Sequence, residues 1–203
     1  MKHLKRGFTL VELLIVMGLL GAIAMIVISA INPIEQTNRA RDTRFKADGS
    51  QLISAIDRYF AARSEFPWVT EGGGTTYTNE DEFGFVSAAN QAVGICGSDC
   101  DTNGTLISVD EMKPEFRSRD FIKKDAAGTV DQKLWIGKEV GSTQSIYACF
   151  IPLAKSTRQK SCDNEQVYTI STTDGTRLDV DTDSCAVTTA NWTDNGWYVC
   201  IPE

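Results

Sequence analysis

The stretch "RGFTLVELLIVMG", residues 6–18, decides the fold, because it opens a long apolar segment and yet contains one carboxylate, Glu12. No residue from Leu13 to Ile34 is charged. As a helix, the run from Phe8 to Ile31 is roughly 36 Å long, which is enough to cross a bilayer core of about 30 Å. A charged side chain inside a bilayer costs roughly 2.5–3.5 kcal/mol, and such residues are usually functional and paired. The sequence therefore predicts a membrane helix whose single acid needs a partner.

The basic residues before this segment predict its orientation. Lys2, Lys5 and Arg6 precede it without any acid, so the positive-inside rule places the N-terminus in the cytoplasm and the rest of the chain outside. A secretory signal peptide fits poorly, because the apolar run is too long and no small-x-small cleavage site closes it.

Glu12 has no basic side chain within reach along the helix. No Lys or Arg occurs between Arg6 and Arg39, and Arg6 lies off the helical face of Glu12. A cut after Gly7 would create a different cation, since Phe8 would then carry a free α-amino group able to neutralise a carboxylate on a neighbouring chain.

These residues resemble the N-terminal segment of a known protein family. "KRG" followed by "FTLVELLIV" closely resembles the start of type IV prepilins, which the pseudopilins of type II secretion share. The resemblance implies that a membrane peptidase cuts after Gly7 and methylates Phe8. It also implies that Glu12 meets the Phe8 amine of an adjacent subunit in a filament. The resemblance is dense through about residue 67 and loose afterwards.

The resemblance also implies a function and a location. The chain would be a structural subunit that polymerises with itself or with other pilins, after processing by prepilin peptidase/methyltransferase and with help from an inner-membrane assembly platform. The precursor would sit in the inner membrane, and the product would be an extracellular pilus for adhesion, motility or DNA uptake. The alternative is a type II secretion pseudopilin in a periplasmic pseudopilus, and the length of the chain favours the pilus.

The polar segment after the membrane helix predicts a second helix, the stalk, which is separated from the first by a joint. Asn32 suits an N-cap and Pro33 a first helical position, so we expect a bend or a short unwound segment there. Beyond the joint, one helical stripe predicts the seat of the head, formed by Phe45, Leu52, Ile56, Tyr59 and Phe60. The basic cluster of Arg39, Arg41, Arg44 and Lys46 is interpreted either as a solvated face or as a subunit contact.

The expected fold is α+β, with one long N-terminal helix packed on an antiparallel β-sheet head whose loops are pinned by disulfides. The predicted parts are a leader at 1–7, a transmembrane helix at 8–31, an amphipathic helix at 32–64 and a β-rich head at 65–203. Five strands are predicted within 133–137, 145–151, 165–172, 176–181 and 196–202, with a hairpin turn at Asp174-Gly175.

Six cysteines all lie beyond residue 95: Cys96, Cys100, Cys149, Cys162, Cys185 and Cys200. Their even number, together with an export-like start, predicts disulfides. Metal binding is the rival interpretation, but only Cys96 and Cys100 have a spacing close to that of zinc ligands. Sequence neighbours are the simplest pairing, namely Cys96–Cys100, Cys149–Cys162 and Cys185–Cys200.

One acidic stretch, "DCDTNGTLISVD" at 99–110, fits a calcium-loop pattern. A structural subunit of a filament requires no cofactor, so calcium is the one candidate ligand. Its ligands would be Asp99, Asp101, Asn103, the Thr105 carbonyl and Asp110. Asp110 replaces the usual bidentate Glu, and Ile107 offers no ligand, so an acidic surface turn is the alternative.

Composition argues against two other functions. Three of the 20 basic residues lie before Gly7, which leaves 17 against 27 acidic ones and argues against nucleic acid as a direct ligand. The only histidine is His3 in the leader, so the mature chain lacks the base of a Ser-His-Asp or Cys-His hydrolase, and we expect no enzyme. A membrane-anchored adhesin head stays an alternative, with Trp68, Trp135, Trp192 and Trp197 as candidate stacking platforms.

Overall fold

The computed structural model describes residues 8–30, 32–71, 77–171, 174–180, 185 and 188–202. The chain divides into two compact units, Met1–Thr37 and Asn38–Glu203. The first unit holds an apolar helix, and the second holds a sheet with its core.

Seven helices and six strands make up the described regular structure, with short 3₁₀ turns between them. The helices are α1 (Leu10–Ala30), α2 (Pro33–Arg63), α3 (Pro67–Glu71), α4 (Thr105–Ser108), α5 (Asp120–Lys123), α6 (Lys155–Asp163) and α7 (Thr189–Asn195). The strands are β1 (Phe83–Ser87), β2 (Trp135–Lys138), β3 (Ile146–Phe150), β4 (Tyr168–Ile170), β5 (Arg177–Asp179) and β6 (Val199–Ile201).

The head is built on a four-stranded antiparallel sheet in the order β1-β2-β3-β6. Helix α2 lies against this sheet at close range. A Cβ atom added to Gly49 of α2 would lie 3.0 Å from Ile201 Cδ1 and 3.2 Å from the Cβ of Ala148. Only a residue without a side chain fits there comfortably, so Gly49 sets how near the helix comes to the sheet.

The core lies between α2 and the sheet, as the stripe on α2 predicted. Four of the five predicted stripe residues are buried, and the fifth, Phe60, packs at the edge of the same core. From the sheet the core takes apolar side chains of all four strands: Phe83, Ile136, Ile146, Ala148, Phe150 and Val199. The predicted α+β class, a helix on an antiparallel sheet with disulfides, is confirmed.

Strand β1 was missed by the sequence prediction. Its sequence, Phe83–Ser87, is only five residues long and is interrupted by Gly84, so its apolar pattern is too short to predict a strand. Its pairing with β2 is also irregular, with a register shift between Phe83 and Val86. Tertiary pairing, rather than local pattern, makes this segment a strand.

The predicted hairpin turn is present between β4 and β5. Asp174 Oδ1 accepts a hydrogen bond from the Thr176 amide at 3.1 Å, and Gly175 has a φ of 65°. The Tyr147 hydroxyl donates to the Gly175 carbonyl, which ties the hairpin to strand β3 of the main sheet. The turn is therefore fixed both by its own residues and by a buried tyrosine.

Three disulfides are formed, and two of the predicted pairings were wrong. Cys96 bonds Cys100 as predicted, but Cys149 bonds Cys200 and Cys162 bonds Cys185. The physical reason is register, because antiparallel β3 and β6 place Cys149 directly opposite Cys200. Their Cα atoms lie 4.0 Å apart, whereas sequence proximity alone cannot anticipate a pairing between non-consecutive strands.

Candidate functional site

The carboxylate of Glu12 has a local partner at the start of α1. Its Oε2 atom accepts hydrogen bonds from the Thr9 backbone amide at 2.9 Å and from the Thr9 hydroxyl at 2.8 Å. The Thr9 hydroxyl oxygen in turn accepts the Glu12 amide at 3.2 Å. This reciprocal pattern is a capping box, in which Thr9 is the N-cap and Glu12 the third helical residue.

Sequence reasoning missed this contact, although its signal was local. That signal is "TLVE", a Thr-x-x-Glu pattern at residues 9–12. The capping box satisfies helix amides that would otherwise have no acceptor in a membrane. Within a single chain, Glu12 therefore has hydrogen-bond partners even before any neighbour arrives.

Helix α1 presents apolar side chains on all sides. The segment Leu10–Ile28 has a mean hydropathy of 2.7, none of it is buried, and by length and composition it can cross a membrane. Phe8, just before the helix, is 83% exposed. So large an apolar surface needs lipid or other protein to cover it.

The joint between α1 and α2 is capped as well. The Asn32 side-chain Oδ1 accepts the Glu35 backbone amide at 3.3 Å, and Pro33 is the first residue of α2. Proline suits this position because its missing amide would have no acceptor within the helix. The predicted processing residue Gly7 lies outside the described residues.

The sequence around this site matches one family model. Residues 2–28 match the prokaryotic N-terminal methylation motif. The chain carries the prepilin-type leader of type IV pilins and pseudopilins. Neither the search of curated proteins nor the search of solved structures found a match to the chain.

The matched residues include most of the apolar helix. They span the basic leader residues and nearly all of the apolar segment that can cross a membrane. A membrane-anchored precursor of the pilin or pseudopilin type fits both observations. The head, which begins beyond the matched residues, has to be understood from its own structure.

The candidate calcium loop of the head folds as a turn followed by a short helix. Asp99 Oδ1 accepts the backbone amides of Asp101 and Thr102, both at 3.2 Å. The Thr105 carbonyl, a predicted ligand, accepts the Val109 amide at 3.1 Å within α4. Within the described part of the chain, no three His, Cys, Asp or Glu side chains form a group that could hold a metal ion.

The other predicted ligands, Asn103 and Asp110, are exposed, and Asp110 has a positive φ of 61°. A cavity of about 780 Å³ adjoins this loop, and it is lined in part by Asp99, Asp101 and the Cys96–Cys100 disulfide. Calcium binding at this loop stays a prediction.

Sequence reasoning also missed a buried carboxylate on α2. Asp42 is 2% exposed, and it accepts the backbone amides of Leu153 at 3.1 Å and Ala154 at 2.9 Å. Burial raises the pKa of Asp42, against the lowering effect of these amides and of Arg41. No sequence signal could have found it, because the two amides that donate to it lie more than a hundred positions away.

Arg41, one member of the predicted basic cluster, belongs to the packing of the head. Its Nη1 lies 3.1 Å from Asp42 Oδ1 and donates to the Ile151 carbonyl at 3.1 Å. Its guanidinium also stacks over the Phe45 ring at 4.0 Å. Arg41 therefore differs from Arg39 and Arg44, which are exposed.

Another buried charge, Lys138, joins two loops of the head, the one before β1 and the one between β2 and β3. Its Nζ atom donates to the backbone carbonyls of Asp81, Glu139 and Gly141 at 2.9, 2.9 and 2.8 Å. Burial lowers the pKa of Lys138, and the carboxylates of residues 80–82 oppose that shift. The ammonium thus uses all three of its donors on backbone acceptors.

The four tryptophans divide between core and edge. Trp68 and Trp192 are fully buried, so they belong to the core. Trp135 and Trp197 are half-buried, and the Trp135 ring stacks on Phe85 with the centroids 5.1 Å apart.

Proposed function

We propose that this chain is a structural subunit of a type IV pilus or pilus-like filament, cleaved after Gly7, N-methylated at Phe8 and polymerised through α1. The observation that carries the proposal is the methylation motif at residues 2–28, which coincides with an exposed apolar helix holding one acid. An apolar helix of this length serves as a membrane anchor before assembly. In a filament, the same surface can pack against copies of itself.

Glu12 supplies the specificity of assembly in this proposal. In the lone chain its carboxylate is held by Thr9. Cleavage before Phe8 creates a cationic amine, and pairing that amine with Glu12 of another subunit adds an attraction that is strong in a low-dielectric surrounding. The capping box lowers the free-energy cost of placing the Glu12 carboxylate in lipid. Pairing with the amine of a neighbouring subunit then stabilises the docked state.

The head contributes stability rather than catalysis in this proposal. It contains no histidine, since His3 lies in the leader, and all six cysteines are in disulfides. Three disulfides, together with internally bonded buried charges such as Asp42 and Lys138, suit a part exposed outside the cell. The alternative assembly, a periplasmic pseudopilus, uses the same residues, and the site of the assembled fibre separates the two.

Intact-mass analysis of the protein from native membranes and sheared fibres tests the proposal. We expect loss of residues 1–7, one added methyl group on Phe8, and six hydrogens fewer than in the reduced chain. Fibres on the cell surface indicate a pilus, and fibres confined to the periplasm indicate a pseudopilus. A monomeric protein that retains its first seven residues contradicts the proposal.

A substitution at Gly7 tests the cleavage position separately. Gly7→Phe places a bulky side chain at the predicted cut, so the precursor should accumulate uncut in the membrane. Lys5→Gln, two positions earlier, is the control and should still be cut. Efficient cutting of the Gly7→Phe chain would place the processing site elsewhere.

A further inference from the structure

The two long disulfides of the head are nested in the sequence. Cys162–Cys185 lies inside the loop that Cys149–Cys200 closes, and the two bonds have sequence separations of 23 and 51. Cys149 therefore has to stay available for Cys200, although two other cysteines come before that partner in the chain. The pairing thus depends on the order in which the bonds form.

Pairing between sequence neighbours competes with these native bonds. The neighbour-paired form, defined by Cys149–Cys162 and Cys185–Cys200, closes two loops that are both shorter than either native loop. Shorter loops lose less entropy on closing, so they form more readily in an unfolded chain. In the proposed subunit the head follows the N-terminal anchor across the membrane, so Cys162 reaches the oxidising side before Cys200.

The neighbour-paired bonds are incompatible with the packing of the native head. Strand register places Cys149 opposite Cys200, and both are buried in a small cluster with Tyr147. Cys162 belongs to the main core instead, and Cys185 packs against that core. A bond from Cys149 to Cys162 would have to join residues of two separate clusters. The neighbour-paired form is therefore a kinetic trap.

The trap contains no thiol that could open it. Once Cys96–Cys100 is also formed, all six cysteines are bonded and no thiolate remains within the chain. Exchange between disulfides requires a thiolate as the attacking group. That thiolate has to come from another molecule.

We propose that this chain reaches its native pairing by thiol–disulfide exchange with a second protein that carries a reduced, exposed thiol. The thiolate of that partner attacks Cys162 Sγ, forms a mixed disulfide there and releases the Cys149 thiolate. Cys149 then attacks Cys200 Sγ, so the first native bond forms and Cys185 leaves as a thiolate. Cys185 finally attacks Cys162 Sγ, which forms the second native bond and releases the partner's thiol unchanged.

The exchange has no net oxidation or reduction, because one disulfide forms for each one that breaks. The bonds of the trap are supplied earlier by a disulfide-bearing oxidant, which takes two electrons and two protons and becomes a dithiol for each bond made. Burial ends the exchange at the native pairing. Cys149 and Cys200 are fully buried and Cys162 is 8% exposed, so an external thiolate has little access to them.

Oxidation without any added thiol tests the proposal. The full-length chain is reduced and unfolded in urea, diluted into non-ionic detergent and oxidised with diamide, an azo compound that becomes a hydrazine and releases no thiol. Non-reducing peptide mapping should find Cys149–Cys200 in fewer than about one chain in three, the random share for four cysteines. After diamide is removed, reduced glutathione replaces the partner's thiol and should convert most chains to the native pairing.

Paired variants test whether the nested cysteines cause this requirement. Cys162→Ala/Cys185→Ala removes the competing partners, so diamide alone should form the bond between β3 and β6 in most chains. The matched control, Cys96→Ala/Cys100→Ala, also removes two cysteines but keeps the competition, and it should still need glutathione. Peptide mapping identifies these bonds whether or not a variant folds.

The proposal is overturned if diamide alone gives the native pairing in most unchanged chains, or if glutathione leaves those chains mispaired. It is also overturned if both variants need glutathione equally. The inference rests on the proposed function only in placing the head in an oxidising compartment. Because the assay involves neither cleavage nor filaments, native pairing with diamide alone would contradict this inference and leave the proposed function intact.

Discussion

Asp42 on α2 accepts the backbone amide of Ala154 at 2.9 Å, across 112 residues of sequence. This contact joins α2 to the start of α6, and α6 has no side-chain cap of its own. Because Asp42 is buried, losing it would leave the amides of Ala154 and Leu153 without acceptors. The long helix is thus fixed in the head by a polar contact as well as by its apolar stripe.

Replacing Asp42 should therefore destabilise the head. Asp42→Ala is expected to lower the free energy of unfolding by about 2–3 kcal/mol, the cost of leaving buried donors unpaired. Chemical denaturation monitored by circular dichroism measures the change. Asp57→Ala, at an exposed position of the same helix, is the control and should change the stability by less than about 0.5 kcal/mol. Equal effects of the two substitutions would show that the contact with α6 contributes little.

The disulfides should differ in their contribution to stability. Cys149–Cys200 closes a loop with a sequence separation of 51, and Cys96–Cys100 closes one of only 4. Chain entropy then predicts a loss of about 4 kcal/mol for Cys149→Ala/Cys200→Ala and about 2 kcal/mol for Cys96→Ala/Cys100→Ala. Non-reducing peptide mapping checks the connectivity itself, and a peptide joining Cys149 to Cys162 would refute it.

Alkaline pH should weaken the fold through Tyr147. Desolvation is the main cause that raises the pKa of its hydroxyl to about 12. Between pH 10 and 12 the unfolded chain ionises this group and the folded chain does not, so folding stability is intact below pH 10 and falls as the pH rises through that window. Absorbance at 295 nm should show a late-titrating tyrosine that Tyr147→Phe removes. If the Phe variant retains that late component, it belongs to another tyrosine.

Variants of Glu12 separate its charge from its hydrogen bonds. Glu12→Gln keeps a group that can accept from Thr9 but removes the charge, whereas Glu12→Ala removes both. If pairing with the Phe8 amine drives assembly, both variants should be cut and stay in the membrane, yet yield at least about tenfold fewer fibres. Sheared-fibre yield, with membrane content as the reference, measures the effect. Normal fibre yield from Glu12→Gln would mean that the capping box with Thr9 suffices.

The calcium prediction is tested by chelation. If the 99–110 loop binds calcium, EDTA should lower the melting temperature of the unchanged chain, and Asp101→Ala should make that temperature independent of EDTA. Asp101 is the informative position, because Asp99 also holds the turn through two amides and its loss would destabilise the loop without calcium. Identical sensitivity to EDTA in both chains would place any calcium effect outside this loop.

Features with a local signal could be predicted from the sequence. The apolar stripe of α2 and the Asp174-Gly175 turn depend on residues close together in the chain, and both were predicted. The contacts of Asp42 and Lys138 could not be, because charged residues are normally expected at the surface. Asp42 is buried because two backbone amides distant in sequence donate to it. Lys138 is buried because the distant carbonyl of Asp81, together with the nearby carbonyls of Glu139 and Gly141, accepts from its ammonium. The pairing of Cys149 with Cys200 likewise depends on strand register.

The bridge between Cys149 and Cys200 has a mechanical consequence. When tension is applied between the two ends of the chain, the enclosed segment cannot be drawn out while that bond is intact. At about 3.4 Å per residue, roughly 170 Å of contour length is withheld from extension. An oxidised molecule stretched from end to end should therefore have a shorter maximum extension than a reduced one. Strand β6 would stay covalently bonded to β3.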